Sequence, residues 1–325
     1  MTISTLSTKP ALLCLLAGKY PAVARSIGVL GAVSLLGSSA ILLKEVIDSG
    51  YVVVQPGDWP APFGITLVAD LFSALMVMIT GLIASAVAVY SLQDIDERLV
   101  RRHYYALFHF LLMGVNGAFI TGDLFNLYVW FEVMLLSSFV LMTMGGSLDQ
   151  LESGVKYLII NLVSSVLFLS GVGLIYGKLG TLNMADIALR LADSHHTPRV
   201  ATAALFAGLL TKVGIYALIR SYTLFFSSHF DAVQGILILL AGATMLTGVL
   251  GAAAHYNIRK ILSFHIVSQI GYMLMGLAIG SSLAIAGAIF YTLHHIIVKA
   301  NLFLIGGLIE RRCGSGDLAR TGGLY

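Results

Sequence analysis

The chain has little charge: only 11% of its 325 residues are Asp, Glu, Lys or Arg, whereas a soluble domain has about 25%. It has only two cysteines, Cys14 and Cys313, which lie at opposite ends of the sequence and indicate neither a disulfide framework nor a metal site. Its basic residues are scattered through short loops, so the net charge of +3 does not indicate a nucleic-acid partner. These absences exclude a soluble domain, and a mean hydropathy of +0.91 predicts a chain embedded in lipid.

Long apolar segments recur along the chain, and their lengths suit helices that cross about 30 Å of hydrocarbon. Because the period-2 alternation of a membrane β-barrel is not seen, the sequence predicts an all-α, polytopic transmembrane helical bundle with about 9–10 spanning helices. An earlier apolar run, Ala11–Gly18, is shorter than a full span. The predicted spans are Ile27–Leu43, Leu67–Tyr90, Tyr104–Ile120, Leu124–Met144, Val155–Tyr176, Val200–Ile219, Gly235–Ala254, Ile261–Ile279 and Leu283–Ile309.

Three charged residues lie deep inside these predicted spans. Glu132 is the only charged residue of Leu124–Met144, while Lys212 and Lys299 lie within two later spans. A charge near the bilayer centre costs about 2.5–3.5 kcal/mol on insertion scales, so each is a candidate functional residue that needs a partner or water. The alternatives are a purely structural hydrogen bond for Glu132 and an interfacial position of the ammonium group for the lysines.

Histidines accompany the later buried lysine. His295 precedes Lys299 by four residues and therefore shares its helix face, and His265 lies on the preceding predicted helix. Imidazole exchanges protons near neutral pH, although an interhelical hydrogen bond is an equally good explanation for either histidine. The predicted proton path consists of Glu132, Lys212, His265, His295 and Lys299.

Charges in the loops indicate the orientation and reveal an inconsistency. If the loops with Lys19 and Arg98–Arg102 are cytoplasmic, the loop Asp48–Pro62, which has no Lys or Arg, lies outside. Simple alternation then puts Lys178–Arg199, which has the pattern of a short interfacial helix, outside as well, together with every later basic cluster. One additional span between Arg190 and Val200 would return those clusters to the cytoplasm.

Four segments carry the polar residues of these helices in a distinctive context. They are GDLFNLYVWFEVMLLSS at 122–138, ALFAGLLTKVGIYALIR at 204–220, IRKILSFHIVSQIGY at 258–272 and HHIIVKANLF at 294–303. In this order, they resemble a known family of proton-translocating antiporter-like membrane subunits. This family includes subunits of Mrp-type multisubunit sodium/proton antiporters and the pumping subunits of respiratory complex I, and the first segment is most similar to the D subunit of the Mrp antiporters.

The resemblance implies two regions: residues 1–65 with N-terminal membrane helices and an extracytoplasmic loop, and residues 66–325 with the antiporter-like translocation domain. It also implies a multi-pass protein of the bacterial cell membrane whose partners are other antiporter subunits, protons and monovalent cations. Family members carry a lysine-bearing broken helix before the Lys212 helix, and here DSHHTPR at 193–199 resembles only the tail of that segment. The domain is therefore expected to lack one family helix near 191–199 and to be truncated after 325.

Three functions remain open at this point. The first is a membrane subunit of a monovalent cation (Na+)/proton antiporter, and the second is a proton-pumping subunit of a complex I-like or hydrogenase-linked complex. The third is a truncated remnant that does not transport. The sequence contains no motif for flavin, nicotinamide or iron–sulfur clusters, so no cofactor is expected and any NADH dehydrogenase activity would belong to partner subunits.

Overall fold

The computed structural model describes residues 3–61, 63–187, 211–225 and 230–321. The chain divides into two compact units, Met1–His196 and Thr197–Tyr325. Almost every regular element in the described residues is a helix, as the apolar segments predict. The helices of the first unit are α1 (Ile3–Leu16), α2 (Pro21–Ser49), α3 (Leu71–Asp94), α4 (Glu97–Arg101), α5 (Tyr104–Ile120), α6 (Leu124–Thr143) and α7 (Leu148–Leu179).

A short antiparallel hairpin precedes α3. Strand β1 (Tyr51–Val54) pairs with β2 (Leu67–Asp70), with Tyr51 opposite Asp70. The prediction that a span begins at Leu67 is therefore wrong by four residues, because apolarity alone does not distinguish a short buried strand from the start of a helix. Asp70 instead caps α3: its carboxylate accepts from the Ser73 amide at 2.9 Å, and the Ser73 hydroxyl accepts from the Asp70 amide.

Two small residues of α2 allow α5 to approach closely. The Gly28 Cα lies against the Tyr105 ring, and Gly31 lies against the imidazole of His109. His109 is fully buried, and its Nε2 is 3.0 Å from the Gly28 carbonyl oxygen. On the α3 side, the Tyr105 and Ser91 hydroxyls are hydrogen-bonded at 2.9 Å. These contacts hold α2, α3 and α5 together, which provides a fixed support for α6.

Polar loops meet at the end of the first unit where α6 begins. The Gly122 amide donates to the Thr66 carbonyl, and the Met184 amide donates to the Gly122 carbonyl, both at 2.8 Å. The side-chain amide of Asn183 donates to the Thr66 hydroxyl at 3.1 Å. A helix starts at Met184, where the sequence predicts an interfacial helix, but most of that predicted helix lies outside the described residues.

The opposite end of the first unit carries its basic loops. Arg25 Nη2 donates to the Ile95 carbonyl at 2.8 Å, and Arg102 Nη1 donates to the Met144 carbonyl at 3.0 Å. The loops that join α1 to α2, α3 to α5 and α6 to α7 therefore lie together. The preference of Lys and Arg for the cytoplasmic side predicts that this end is cytoplasmic.

The second unit is entirely helical in its described part, apart from its loops. Close packing at small residues joins two of its helices: Gly271 lies against Met245, and Gly251 lies against the Phe264 ring. The Ile258 amide donates to the Gly316 carbonyl at 2.9 Å, so the tail after the last helix folds back against the start of an earlier one. The helices are α8 (Thr211–Phe225), α9 (Phe230–Ala253), α10 (Ile258–Ile279) and α11 (Ser282–Cys313).

Seven helices of the described residues are long and apolar enough to cross a membrane: α2, α3, α6, α7, α9, α10 and α11. Helix α5 is also apolar and has 17 residues, at the short end of the range for a full span. The predicted span Val200–Ile219 begins outside the described residues, and its later part belongs to α8. The predicted absence of a family helix near 191–199 also falls outside them.

Candidate functional site

Helix α6 places Glu132 deep in the predicted membrane. Asp123 caps this 20-residue helix by accepting a hydrogen bond from the Asn126 amide at 2.7 Å. Burial raises the pKa of the Asp123 carboxyl, and the amides of Asn126 and Phe125 oppose that shift. Asp123 therefore caps the start of α6, whereas Glu132 lies within the helix.

Glu132 lies on the side of α6 that faces away from α5. Trp130 and Met134 pack against Gly117 and Gly114 of α5, and a residue two positions from either is rotated by about 200° around the helix. Several exposed apolar side chains share the Glu132 side of α6, among them Val129 and Leu136. Glu132 is therefore not part of the α5–α6 interface and is only half-buried within its unit.

Two observations describe the surroundings of the Glu132 carboxylate. Tyr128, one turn earlier on α6, interacts with it through its hydroxyl group. The carboxylate atom Oε1 is buried and makes no hydrogen bond to the described residues. A buried carboxylate oxygen without a hydrogen-bond donor is costly, which makes Glu132 a candidate functional residue.

Helices α10 and α11 bring Lys299 and His265 together. Lys299 Nζ is 2.8 Å from His265 Nδ1, although 34 residues separate them in the sequence. Lys299 is 4% exposed, whereas His265 is exposed at the surface of its unit. At this distance the amine and the imidazole form a hydrogen bond, in which one nitrogen donates and the other accepts.

His295 lies one turn before Lys299 on α11. It is 3% exposed, and its ring stacks on Tyr291 with 6.0 Å between the ring centroids. Tyr291 in turn lies 6.3 Å from the ring of Tyr272 on α10. His295 and Lys299 therefore lie one turn apart on α11, and both belong to the second unit together with His265.

The remaining predicted residues are placed less completely. Lys212 belongs to the described part of α8, and its side chain lies outside the described residues. Glu132 belongs to the first unit, whereas Lys212, His265, His295 and Lys299 belong to the second. His265, His295 and Lys299 therefore lie in the second unit, and the surroundings of Glu132 belong to the first.

Two polar features of α6 are missing from the sequence-based prediction. Tyr128 precedes Glu132 by four residues, a spacing that itself indicates contact on a helix. The second is a 2.9 Å hydrogen bond between the hydroxyls of Ser138 on α6 and Tyr157 on α7. Only its Tyr157 side carries a sequence signal, because Tyr157 and Asn161 repeat at helical spacing in an otherwise apolar segment.

A family model described as "NADH:quinone oxidoreductase/Mrp antiporter, TM" matches residues 121–198 and 189–325. The D subunit of the Na(+)/H(+) antiporter of Alkalihalophilus pseudofirmus is 43% identical over 343 residues, which cover 95% of this chain and 70% of that protein. The corresponding D subunit of Bacillus subtilis is 37% identical, with 88% of this chain and 65% of that protein covered.

Solved structures agree with these relatives. A chain in the Mrp complex from Dietzia sp. superposes with a TM-score of 0.79 and 35% identity, covering 95% of this chain and 65% of that one. A chain of the archaeal membrane-bound sulfane sulfur reductase superposes with a TM-score of 0.87 over 99% of this chain and 73% of its own length. At 24% identity, this second likeness shows the fold alone.

The family match extends over more than half of the chain and includes the helices that carry Glu132, His265 and Lys299. The relatives and the Dietzia structure select one branch within that family. The chain is therefore a membrane protein of the NADH:quinone oxidoreductase/Mrp antiporter family and belongs to the branch formed by the D subunits of Mrp-type antiporters.

Proposed function

We propose that the chain is a membrane subunit of a multisubunit Na+/proton antiporter and contributes a proton path to it. The observation that carries this proposal is the 2.8 Å contact between Lys299 and His265 on two membrane-crossing helices. An amine and an imidazole held side by side within membrane-crossing helices cost free energy, and proton transfer is the chemistry that this pair performs well.

The proposed path includes three further residues. His295 lies one turn away from Lys299 on the same helix and offers a second imidazole within the second unit. Glu132 offers an acid in the first unit, with one oxygen that needs a donor. Lys212 supplies a further base between them in the sequence. Groups of this kind, connected by water, pass protons and change one another's proton affinity through their charges.

The expected activity is proton exchange driven by Na+ alone. The complete complex, reconstituted in vesicles with a pH gradient, should release that gradient when Na+ is added without an electron donor. A fluorescent pH indicator in the vesicle lumen measures the exchange. Proton movement only in the presence of an electron donor would instead assign the chain to a redox-linked complex, and no movement in either case would leave a remnant that does not transport.

We also propose that the chain lacks a lysine-bearing span near 191–199. The two segments that match the family model overlap at residues 189–198, as expected if family residues between them are absent. The alignment with the Alkalihalophilus relative extends over 343 residues, more than the 325 residues of this chain. The orientation of the basic clusters, which requires one further crossing, supports the same proposal.

Restoring that span should increase transport. Inserting a family-like lysine-bearing helix between Leu191 and Asp193 would correct the number of crossings and supply a base between Glu132 and Lys212. Vesicles with the extended chain should exchange protons several-fold faster than vesicles with the unmodified chain at equal protein content. An inserted helix in which methionine replaces the lysine separates the effect of the crossing from that of the charge. Equal rates for all three chains would show that the gap has no consequence.

A further inference from the structure

A line of uncharged polar side chains runs along one face of α7. Tyr157, Asn161, Ser164 and Ser165 are half-buried, and they lead to the buried ring of Phe168. Their spacing of three, four and seven residues puts them on the same side of the helix. Neighbouring residues on the other faces are apolar and exposed, for example Ile160 at 67% and Val166 at 63%. The polar line therefore faces the interior of the unit.

This line faces α6 on the side that carries Ser138, Phe131 and Tyr128, and Tyr128 is one turn from Glu132. Near the predicted cytoplasmic end, the Tyr157 and Ser138 hydroxyls are hydrogen-bonded at 2.9 Å. Further along, the Phe168 ring contacts the rings of Tyr128 and Phe131, with centroids 6.3 and 5.5 Å away. Because the two helices are antiparallel, these contacts place Ser164 and Ser165 at the level of Glu132. The seam, defined by Ser138, Tyr157, Asn161, Ser164 and Ser165, thus runs from the predicted cytoplasmic end to the level of Glu132.

The polarity of the seam has an energetic consequence. In the hydrocarbon region, polar groups without a hydrogen-bond partner are costly, and buried water is the usual means of satisfying them. The side-chain amide of Asn161 donates to the Tyr157 carbonyl at 2.8 Å, which leaves its side-chain oxygen as an acceptor. Glu132 Oε1 is a second acceptor at the inner end of the seam, buried and without a donor in the described residues.

We propose that the α6–α7 seam holds water and delivers protons from the cytoplasmic side to Glu132. Each hydroxyl group or water molecule in the seam accepts one proton on one side and releases another on the other side. Rotation of these groups then restores the seam for the next transfer. Tyr157 and Ser138 form the outer step, and the waters beside Asn161, Ser164 and Ser165 form the inner one. This inference rests on the proposed function, because it supplies Glu132 with protons.

Hydration of the seam is tested without measuring transport. In a chain whose Cys14 and Cys313 are replaced by alanine, Asn161→Cys or Ser164→Cys should react with a charged, water-soluble thiosulfonate. Ile160→Cys, on the exposed apolar face of α7, is the matched control and should react many-fold more slowly. Reaction should also be faster when the reagent is added from the cytoplasmic side. Equal, slow labelling of all three variants would overturn the proposal that the seam holds water.

The contribution to proton delivery is tested with Tyr157→Phe, which removes one hydroxyl group and keeps the ring. In the assembled complex, it should slow Na+-dependent proton exchange several-fold, as should Ser138→Ala. Tyr176→Phe is the control, since Tyr176 is an exposed tyrosine near the other end of α7. Unchanged exchange in Tyr157→Phe and Ser138→Ala, together with a loss in Glu132→Gln, would refute the route while the proposed function stands. Unchanged exchange in Glu132→Gln would remove Glu132 and this route from the proton path, whereas an unmodified complex without Na+-dependent exchange would refute the proposed function.

Discussion

Glu132→Gln is expected to lower Na+-dependent proton exchange by about 100-fold or more, the range in which a lost proton-transfer group reduces a rate. Glutamine keeps the length and much of the hydrogen bonding of the side chain but neither binds nor releases a proton near neutral pH. The contact with Tyr128 is retained through the amide oxygen, so the helix and the assembly of the complex should be unaffected. Exchange in reconstituted vesicles, at a matched content of assembled complex, measures the effect.

Glu152→Gln is a suitable control for that experiment. Glu152 is an exposed residue at the start of α7, and its ion pair with Lys156 is at the surface, where such pairs contribute about 0–1 kcal/mol. Its replacement should leave exchange unchanged. If Glu132→Gln also exchanged protons at the normal rate, Glu132 would be a structural hydrogen-bonding residue, and the proton path would have to omit the first unit.

Lys299→Met is expected to produce the second large loss, also of about 100-fold or more. Methionine fills a similar volume, so the packing of α11 should be retained. His265, however, loses its hydrogen-bonding partner, and the proposed proton path loses a base. The control is Lys260→Met, because Lys260 is exposed at the start of α10. Exchange in vesicles is again the measurement, and the amount of assembled complex is determined in parallel.

Lys299→Arg separates proton transfer from simple charge. Arginine keeps a positive charge but does not lose its proton in proteins, so it should be as inactive as methionine if Lys299 must alternate between charge states. Normal exchange in Lys299→Arg would show that a fixed positive charge is sufficient. In that case, Lys299 would act by electrostatics on its neighbours and not as a station for the proton.

Several boundaries of the fold follow directly from the order of residues. The predicted span Tyr104–Ile120 coincides with α5, and Leu124–Met144 differs from α6 by one residue. Both segments are flanked by polar or charged residues, so apolarity alone marks their ends. The hairpin before α3 does not follow from the sequence pattern, because pairing between β1 and β2 depends on contacts across a loop. Helix α7 extends well beyond Val155–Tyr176, since a helix continues out of the membrane where charges are no longer costly.

Glu132, Lys212 and Lys299 are recognisable as candidates from sequence because the cost of a charge in lipid depends on the length of the apolar segment around it. The fold class, membrane location and family of the protein are likewise predictable from sequence, because they depend on local composition and on segments that are continuous in the chain. The contact between Lys299 and His265 is different, because 34 residues separate the partners and the packing of α10 against α11 brings them together.

The Ser138–Tyr157 hydrogen bond and the polar seam also depend on packing, in this case of α6 against α7. The rotation of each helix about its axis is set by which side chains interlock with its neighbours, and a segment that is apolar on nearly every face carries little information about that rotation. The sequence thus identifies which groups are costly in the membrane, and the folded structure determines which of them are close enough to exchange a proton.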